Sequence, residues 1–274
     1  MNGSTSLLEV LELEEVAPGR FAAQNFLQGT GSVIFGGQIL AQTVMAAGSI
    51  EPTKTVKSMY TTFSRGGDLS QPLEYQVDQF HSGRSISGAT VTATQGARVC
   101  ARTQVLLNAD EPDFIRYEAP TTLELDPADA VASSHGEGFW EIRTVDGVDI
   151  VDPEPVGPPE LLVWSRFPGG PFSPLVSQAL LAYASDGFLI GTAMRPHPGI
   201  GQALSHTKIA TTVITQAITF LEPFDSGDWL LLCHESPHAG GGRSFGRADV
   251  RRRDGHLVAT FTQENMIRAL PVTP

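Results

Sequence analysis

Ser82-Gly-Arg-Ser-Ile-Ser-Gly-Ala-Thr-Val91 returns 159 residues later as Gly241-Gly-Arg-Ser-Phe-Gly-Arg-Ala-Asp-Val250. Carried on without a gap, the same offset pairs Gly96 with Gly255, Val99 with Val258 and Gln104 with Gln263. Upstream, an offset of 157 pairs Val56 with Val213, Phe63 with Phe220 and Asp68 with Asp225. Further upstream, an offset of 140 lays Gln38-Ile-Leu-Ala41 on Gln178-Ala-Leu-Leu181. The matches keep one order in both halves, and the offset changes in Gly- and Pro-rich loops. Internal similarity of this kind marks a duplicated module.

Each module reads as one helix followed by strands. Helices are predicted over 36–47 and from Pro174 to about Asp186, where apolar residues recur at spacings of three and four. Strands are predicted over 56–63, 73–80, 86–94 and 99–107, with counterparts over 213–220, 229–235, 245–252 and 257–266. Alternation of β-branched and polar residues, with turns at Gln95-Gly96 and Asp254-Gly255, makes these antiparallel hairpins. Segments 139–145 and 161–167 open the second module's sheet, and 191–206 forms an extra loop beside Asp186. One helix against a largely antiparallel sheet is an α+β architecture. The expected organisation is a first module over 1–110 with a short N-terminal helix, a linker over 111–136, and a second module over 137–274.

Composition narrows the partners. A formal net charge of −12 argues against nucleic acid and anionic membranes, while leaving room for an anionic small molecule held by local arginines. No apolar run approaches the ~18 residues of a membrane span. The acidic start, MNGSTSLLEVLELEEVAPG, lacks the basic region and apolar core of a secretory signal. Cys100 and Cys233 sit in strand-like apolar runs and read as free thiols of a reducing compartment. The expected location is the cytoplasm.

Leu175, Ala179, Ala182, Asp186 and Leu189 share one face of the second helix. A carboxylate set into an inward apolar stripe is costly unless paired or hydrogen-bonded. The plainer alternative is that Asp186 ends the helix beside Gly187, although an aspartate is poorly matched to the negative end of the helix dipole. The aligned position in the first copy is Ala46, so the helix folds without the acid. Gln263 follows Leu257, Ala259 and Phe261 on one strand face, which aims its amide at the apolar side; otherwise it is a glutamine at a fraying strand end. Val213, Thr215, Ala217 and Thr219 form a small, hydroxylated strand face with room for a ligand.

Two formal motifs lack the context their chemistry needs. Gly242-Arg-Ser-Phe-Gly246 fits the nucleophile-elbow pattern, but a Gly-rich loop precedes Ser244 and a strand follows it, where a strand and then a helix are required. His234-Glu-Ser-Pro-His238 fits the zinc-protease pattern, which works only on a helix that Pro237 disfavours. Arg251-Arg-Arg253 reads as a solvated hairpin tip.

The segments Phe35-Gly-Gly-Gln38, Phe63-Ser-Arg-Gly-Gly-Asp68, Ser82-Gly-Arg-Ser85, Tyr183-Ala-Ser-Asp186, Pro223-Phe224, Trp229-Leu-Leu231 and Gln263-Glu264 run almost end to end. Through them the chain resembles the acyl-CoA thioesterase II family. The resemblance implies a double hotdog fold and acyl-CoA hydrolysis by a water that an aspartate, a glutamine and a Ser or Thr hydroxyl position together. It also implies a homodimer or larger homo-oligomer. Asp186 and Gln263 take the first two places. The family strand usually reads Ser/Thr-x-Asp-His where this chain has Val213-Ile-Thr-Gln216, so the hydroxyl is expected from Thr215, two residues on. Tyr60 stands where the family often has His, and Leu221-Glu222 where it often has His-Arg. No cofactor and no metal is expected, because coenzyme A is part of the substrate. A non-catalytic acyl-CoA or acyl-chain binding hotdog protein is the alternative; a hotdog hydratase would need an Asp and a His placed together.

Overall fold

Ser6 opens the first helix, α1 (Leu7–Val10), through a capping box. Its hydroxyl accepts from the Glu9 N–H at 3.2 Å, and the Glu9 carboxylate accepts from the Ser6 N–H at 2.7 Å. A hairpin follows, β1 (Glu14–Ala17) and β2 (Arg20–Ala23), with Gly19 between them at φ 68°. Next come α2 (Gly36–Ser49), β3 (Thr55–Phe63), β4 (Leu73–Ser82), β5 (Ile86–Gln95) and β6 (Arg98–Asn108). The second half continues with β7 (Val131–Ala132), β8 (Glu141–Thr144), β9 (Glu160–Arg166), α3 (Pro174–Ala184) and α4 (Leu189–Met194). It ends with β10 (Ile209–Phe220), β11 (Leu230–Gly240), β12 (Arg243–Arg252) and β13 (Leu257–Ala269). The structure, a computed structural model, describes residues 6–26, 32–119, 121, 124–133, 136 and 138–271.

The chain packs into two units that do not follow chain order. One gathers Met1–Tyr117, Phe172–Ser185 and Ala217–Phe220; the other gathers Glu118–Pro171, Asp186–Gln216 and Leu221–Pro274. In the first unit the strands lie in the order β1-β2-β4-β5-β6-β3, and in the second β8-β9-β11-β12-β13-β10, with β7 outside β8. The two orders correspond element by element, which is the duplication read from the sequence. The hairpins β4–β5, β5–β6, β11–β12 and β12–β13 are antiparallel.

In the first unit α2 and α3 pack on one another. A Cβ on Gly37 would stand 2.3 Å from the Tyr183 carbonyl oxygen, and one on Gly48 would stand 2.3 Å from the Leu175 Cδ1. Glycine at both ends of α2 thus permits the close approach. Gln42, buried in α2, is fully engaged: its Nε2 donates to the Val10 and Gln24 carbonyls, and its Oε1 accepts from the Tyr75 hydroxyl at 2.7 Å. That network ties the N-terminal segment to the helix.

Several elements differ from the sequence expectation. The second helix stops at Ala184 instead of reaching Asp186, because Ser185 closes it: its N–H bonds the Leu181 carbonyl and its hydroxyl the Ala182 carbonyl. Strand β11 runs on to Gly240, since a bulge between Glu235 and His238 takes up Pro237. The β1–β2 hairpin was not foreseen, and α4 fills the start of the expected loop over 191–206. Arg251 is buried instead of solvated; it bonds Glu118 at 3.2 Å, the Gly255 carbonyl at 3.0 Å and Asp249 at 3.3 Å. Cys100 and Cys233 are both free thiols. Among the described residues no helix is long and apolar enough to cross a membrane.

Candidate active site

Helix α3 starts on Ser173, whose hydroxyl accepts from the Val176 N–H, with Pro174 pre-set at its first position. Residues from Ser177 to Ala184 are all buried. Asp186 is delivered in the turn after the Ser185 cap, half-exposed, and α4 begins three residues later. The β12 position opposite Gln263 is Gly246, and a Cβ there would stand 2.7 Å from the Leu189 Cδ2. The bare backbone of β12 therefore lets α4 sit down beside Gln263.

Gln263 is 1% exposed, on the same strand face as Phe261 and Asn265. Its Nε2 donates to the Asp186 Oδ1 at 3.1 Å and to the Gln216 Oε1 at 2.6 Å. Both amide hydrogens are committed, and the Gln263 Oε1 is buried without a protein partner. An amide whose donors are both taken by acceptors has its orientation fixed chemically, because turning it would set oxygen against carboxylate.

The structure thus brings Asp186 and Gln263 together and does not bring Thr215 to them. Thr215 is half-buried and adjacent to Gln216 in β10. Successive strand residues point to opposite faces, so with Gln216 turned towards Gln263, Thr215 is presented on the other side. The third member of the cluster is Gln216, which is fully buried. Its signal was present in the sequence: Ile214, Gln216, Ile218 and Phe220 alternate as an apolar stripe interrupted by one amide, the pattern that singled out Gln263.

An aromatic file borders the pair. Phe261 precedes Gln263 by two residues and packs against His234 at 5.7 Å between ring centres; His234 meets Phe188, two residues past Asp186, at 5.2 Å. Trp140 continues the file between Phe188 and Phe167, and its Nε1 donates to the Ser165 Oγ at 2.7 Å. His234 Nδ1 lies 3.1 Å from the Leu161 carbonyl, and burial pushes the imidazole pKa down to about 4, so the ring is neutral and the file apolar. His234 and His238 therefore sit on a strand, not on one helical face. Ser244 likewise lies within β12, where its Oγ accepts from Asn265 Nδ2 at 3.2 Å, and not on a strand-to-helix elbow.

The chain is similar over both halves to known proteins. The family model of the acyl-CoA thioesterase N-terminal domain matches residues 27–107, and that of the C-terminal domain matches 118–267. An acyl-CoA thioesterase 2 of Haemophilus influenzae is 29% identical over 288 residues, covering 96% of this chain and 97% of its own. The acyl-CoA thioesterase II TesB2 of Mycobacterium marinum superposes with a TM-score of 0.81 at 26% identity, covering 97% of this chain and 99% of its own. A hot dog fold protein of Alicyclobacillus acidocaldarius, at 18% identity and a TM-score of 0.78 over 97% and 98% of the two chains, shares the fold. With both halves matched in order, the chain belongs to the acyl-CoA thioesterase II family and is a thioester-hydrolysing enzyme.

Proposed function

We propose that this enzyme hydrolyses an acyl-CoA to the free acid and CoA through a water held by Asp186 and Gln263, without a covalent intermediate. The observation that carries the reading is the disposition of the Gln263 amide: both hydrogens go to Asp186 and Gln216, and the buried Oε1 is left as an acceptor. A water donating one hydrogen to that oxygen and the other to Asp186 has a lone pair free to attack. Asp186 takes the proton as the water oxygen bonds to the thioester carbonyl carbon. Backbone N–H groups stabilise the oxyanion. Collapse breaks the C–S bond, and the proton passes from Asp186 to the departing thiolate. Gln216 replaces Thr215 in this scheme and acts through Gln263 as a positioning residue. The apolar file of Phe261, His234 and Phe188 gives the acyl group its side of the site.

Thiol release from an acyl-CoA series, followed with a chromogenic disulfide, tests the reading. Asp186→Asn is expected to lower kcat by about 10²–10⁴-fold, the range of general-base catalysis, with an unchanged unfolding temperature. Full activity in that variant overturns the role of Asp186. Acyl-CoA binding by the unaltered enzyme without thiol release would overturn catalysis and leave a binding protein.

A further inference from the structure

Beyond Gln263 the inward face of β13 carries a second amide before it reaches Ile267. Asn265 comes next on that face and is fully buried. Its Nδ2 donates to the Oγ of Ser244, the residue opposite it on β12, at 3.2 Å. Ser244 is itself 2% exposed. The Asn265 Oδ1 is buried and has no protein partner. Buried polar groups are nearly always satisfied, and each exception in a native fold needs an explanation.

Folding does not supply one. The side chain's hydrogen bond to Ser244 uses its Nδ2 and leaves the Oδ1 out. Position along the strand supplies a better one. On the Phe261 side of Gln263 the face is apolar, and on the Asn265 side it is an acceptor clamped by a hydroxyl. Alternate residues of a strand are about 7 Å apart. In a pantetheine thioester the first amide nitrogen lies two methylenes past sulfur, roughly 5 Å from the carbonyl carbon by ordinary bond lengths. With the acyl group on the apolar side, that amide falls on the Asn265 side.

We propose that Asn265, oriented by Ser244, is a binding residue whose Oδ1 accepts a hydrogen bond from a donor group on the substrate, the pantetheine amide N–H. This rests on the reading of Asp186 and Gln263 as the hydrolytic pair. A hydroxyl on the acyl chain is the other source of such a donor, and the two are separable.

The test uses three thioesters of one acyl group: the N-acetylcysteamine thioester, which carries the amide; the butanethiol thioester, which lacks it; and the butanethiol thioester of the 3-hydroxyacyl group. The unaltered enzyme is expected to favour the amide-bearing substrate over the butanethiol thioester by about tenfold in kcat/KM, the worth of one buried hydrogen bond. Asn265→Leu should erase that preference, while Asn265→Asp, which keeps an acceptor, should retain most of it. If Asn265→Leu instead erases a preference for the hydroxyacyl thioester, the donor is on the acyl chain and the acceptor role stands. Equal losses on all three substrates, or no preference in the unaltered enzyme, overturn the proposal. Asp186→Asn is measured alongside. An inactive Asp186→Asn with an unmoved Asn265→Leu ratio defeats this inference alone. A fully active Asp186→Asn, or an unaltered enzyme that cleaves none of the three, defeats the hydrolytic reading and this inference with it.

Discussion

Gln216 stands behind Gln263, its Oε1 taking a 2.6 Å hydrogen bond from the Gln263 amide, and both side chains are excluded from solvent. The contact costs Gln263 a donor and gives it a direction. With one hydrogen held by Gln216 and the other by Asp186, the carbonyl end of the amide has a single place to point. Gln216→Leu removes the acceptor and frees the amide to turn. The expected result is a kcat lowered about 10–100-fold, in line with the ~1.5–3 kcal/mol of one hydrogen bond in a charged cluster, with little change in KM. Gln216→Glu keeps an acceptor and should recover most of the loss. Steady-state kinetics on the three proteins decides it; a parallel rise in KM would point to general disruption.

His234 makes the fold sensitive to acid. Burial between Phe188 and Phe261 lowers its pKa from 6.5 to about 4, so the folded state refuses a proton that the unfolded chain accepts below 6.5. Stability from this group is therefore full above about pH 6.5, falls as the pH drops towards 4, and is level below that. The whole effect is about 3 kcal/mol. Unfolding temperatures between pH 7 and 4 should decline in the native protein and decline less steeply in His234→Gln. Parallel curves would show that other groups carry the acid response.

Gly37 and Gly48 of α2 make a graded prediction. Gly37→Ala drives a methyl group into the Tyr183 carbonyl oxygen, part of the backbone of α3, and should destabilise by about 1–3 kcal/mol. Gly48→Ala meets only the tip of the Leu175 side chain, which can rotate, so its loss should be smaller. Denaturant titration of both variants ranks them, and an equal or reversed order would refute the account of the helix contact.

The repeat and the two residues that meet through the Gln263 amide were legible in the sequence for one reason. Asp186 and Gln263 are each a polar residue in an otherwise apolar periodic stripe, and periodicity is what sequence shows best. Ser185 was less legible: spacing of three and four ran through it, while its hydrogen bonds to Leu181 and Ala182 end the helix two residues short of Asp186. Gln216 was missed because β10 does not keep one inward face. Ile209 and Thr211 are buried at its start, whereas Gln216, Ile218 and Phe220, of opposite parity, are buried at its end. Alternation along such a strand names two candidate faces, and the one that meets Gln263 is that of Gln216, not the small hydroxylated one holding Thr215. The β1 strand escaped notice because its four residues, Glu14–Ala17, are exposed or nearly so and show no alternation at all.

The course of the chain through its two units has a consequence for cutting it. Phe172–Ser185, encoded well inside the second copy, packs with Met1–Tyr117. A cut in the linker would thus give a leading fragment with α2 bare where α3 should lie, and a trailing fragment holding a helix that packs elsewhere. Neither sequence copy, taken alone, holds both helices of the α2–α3 contact. The chain has two halves in sequence, and each packing unit draws on both of them.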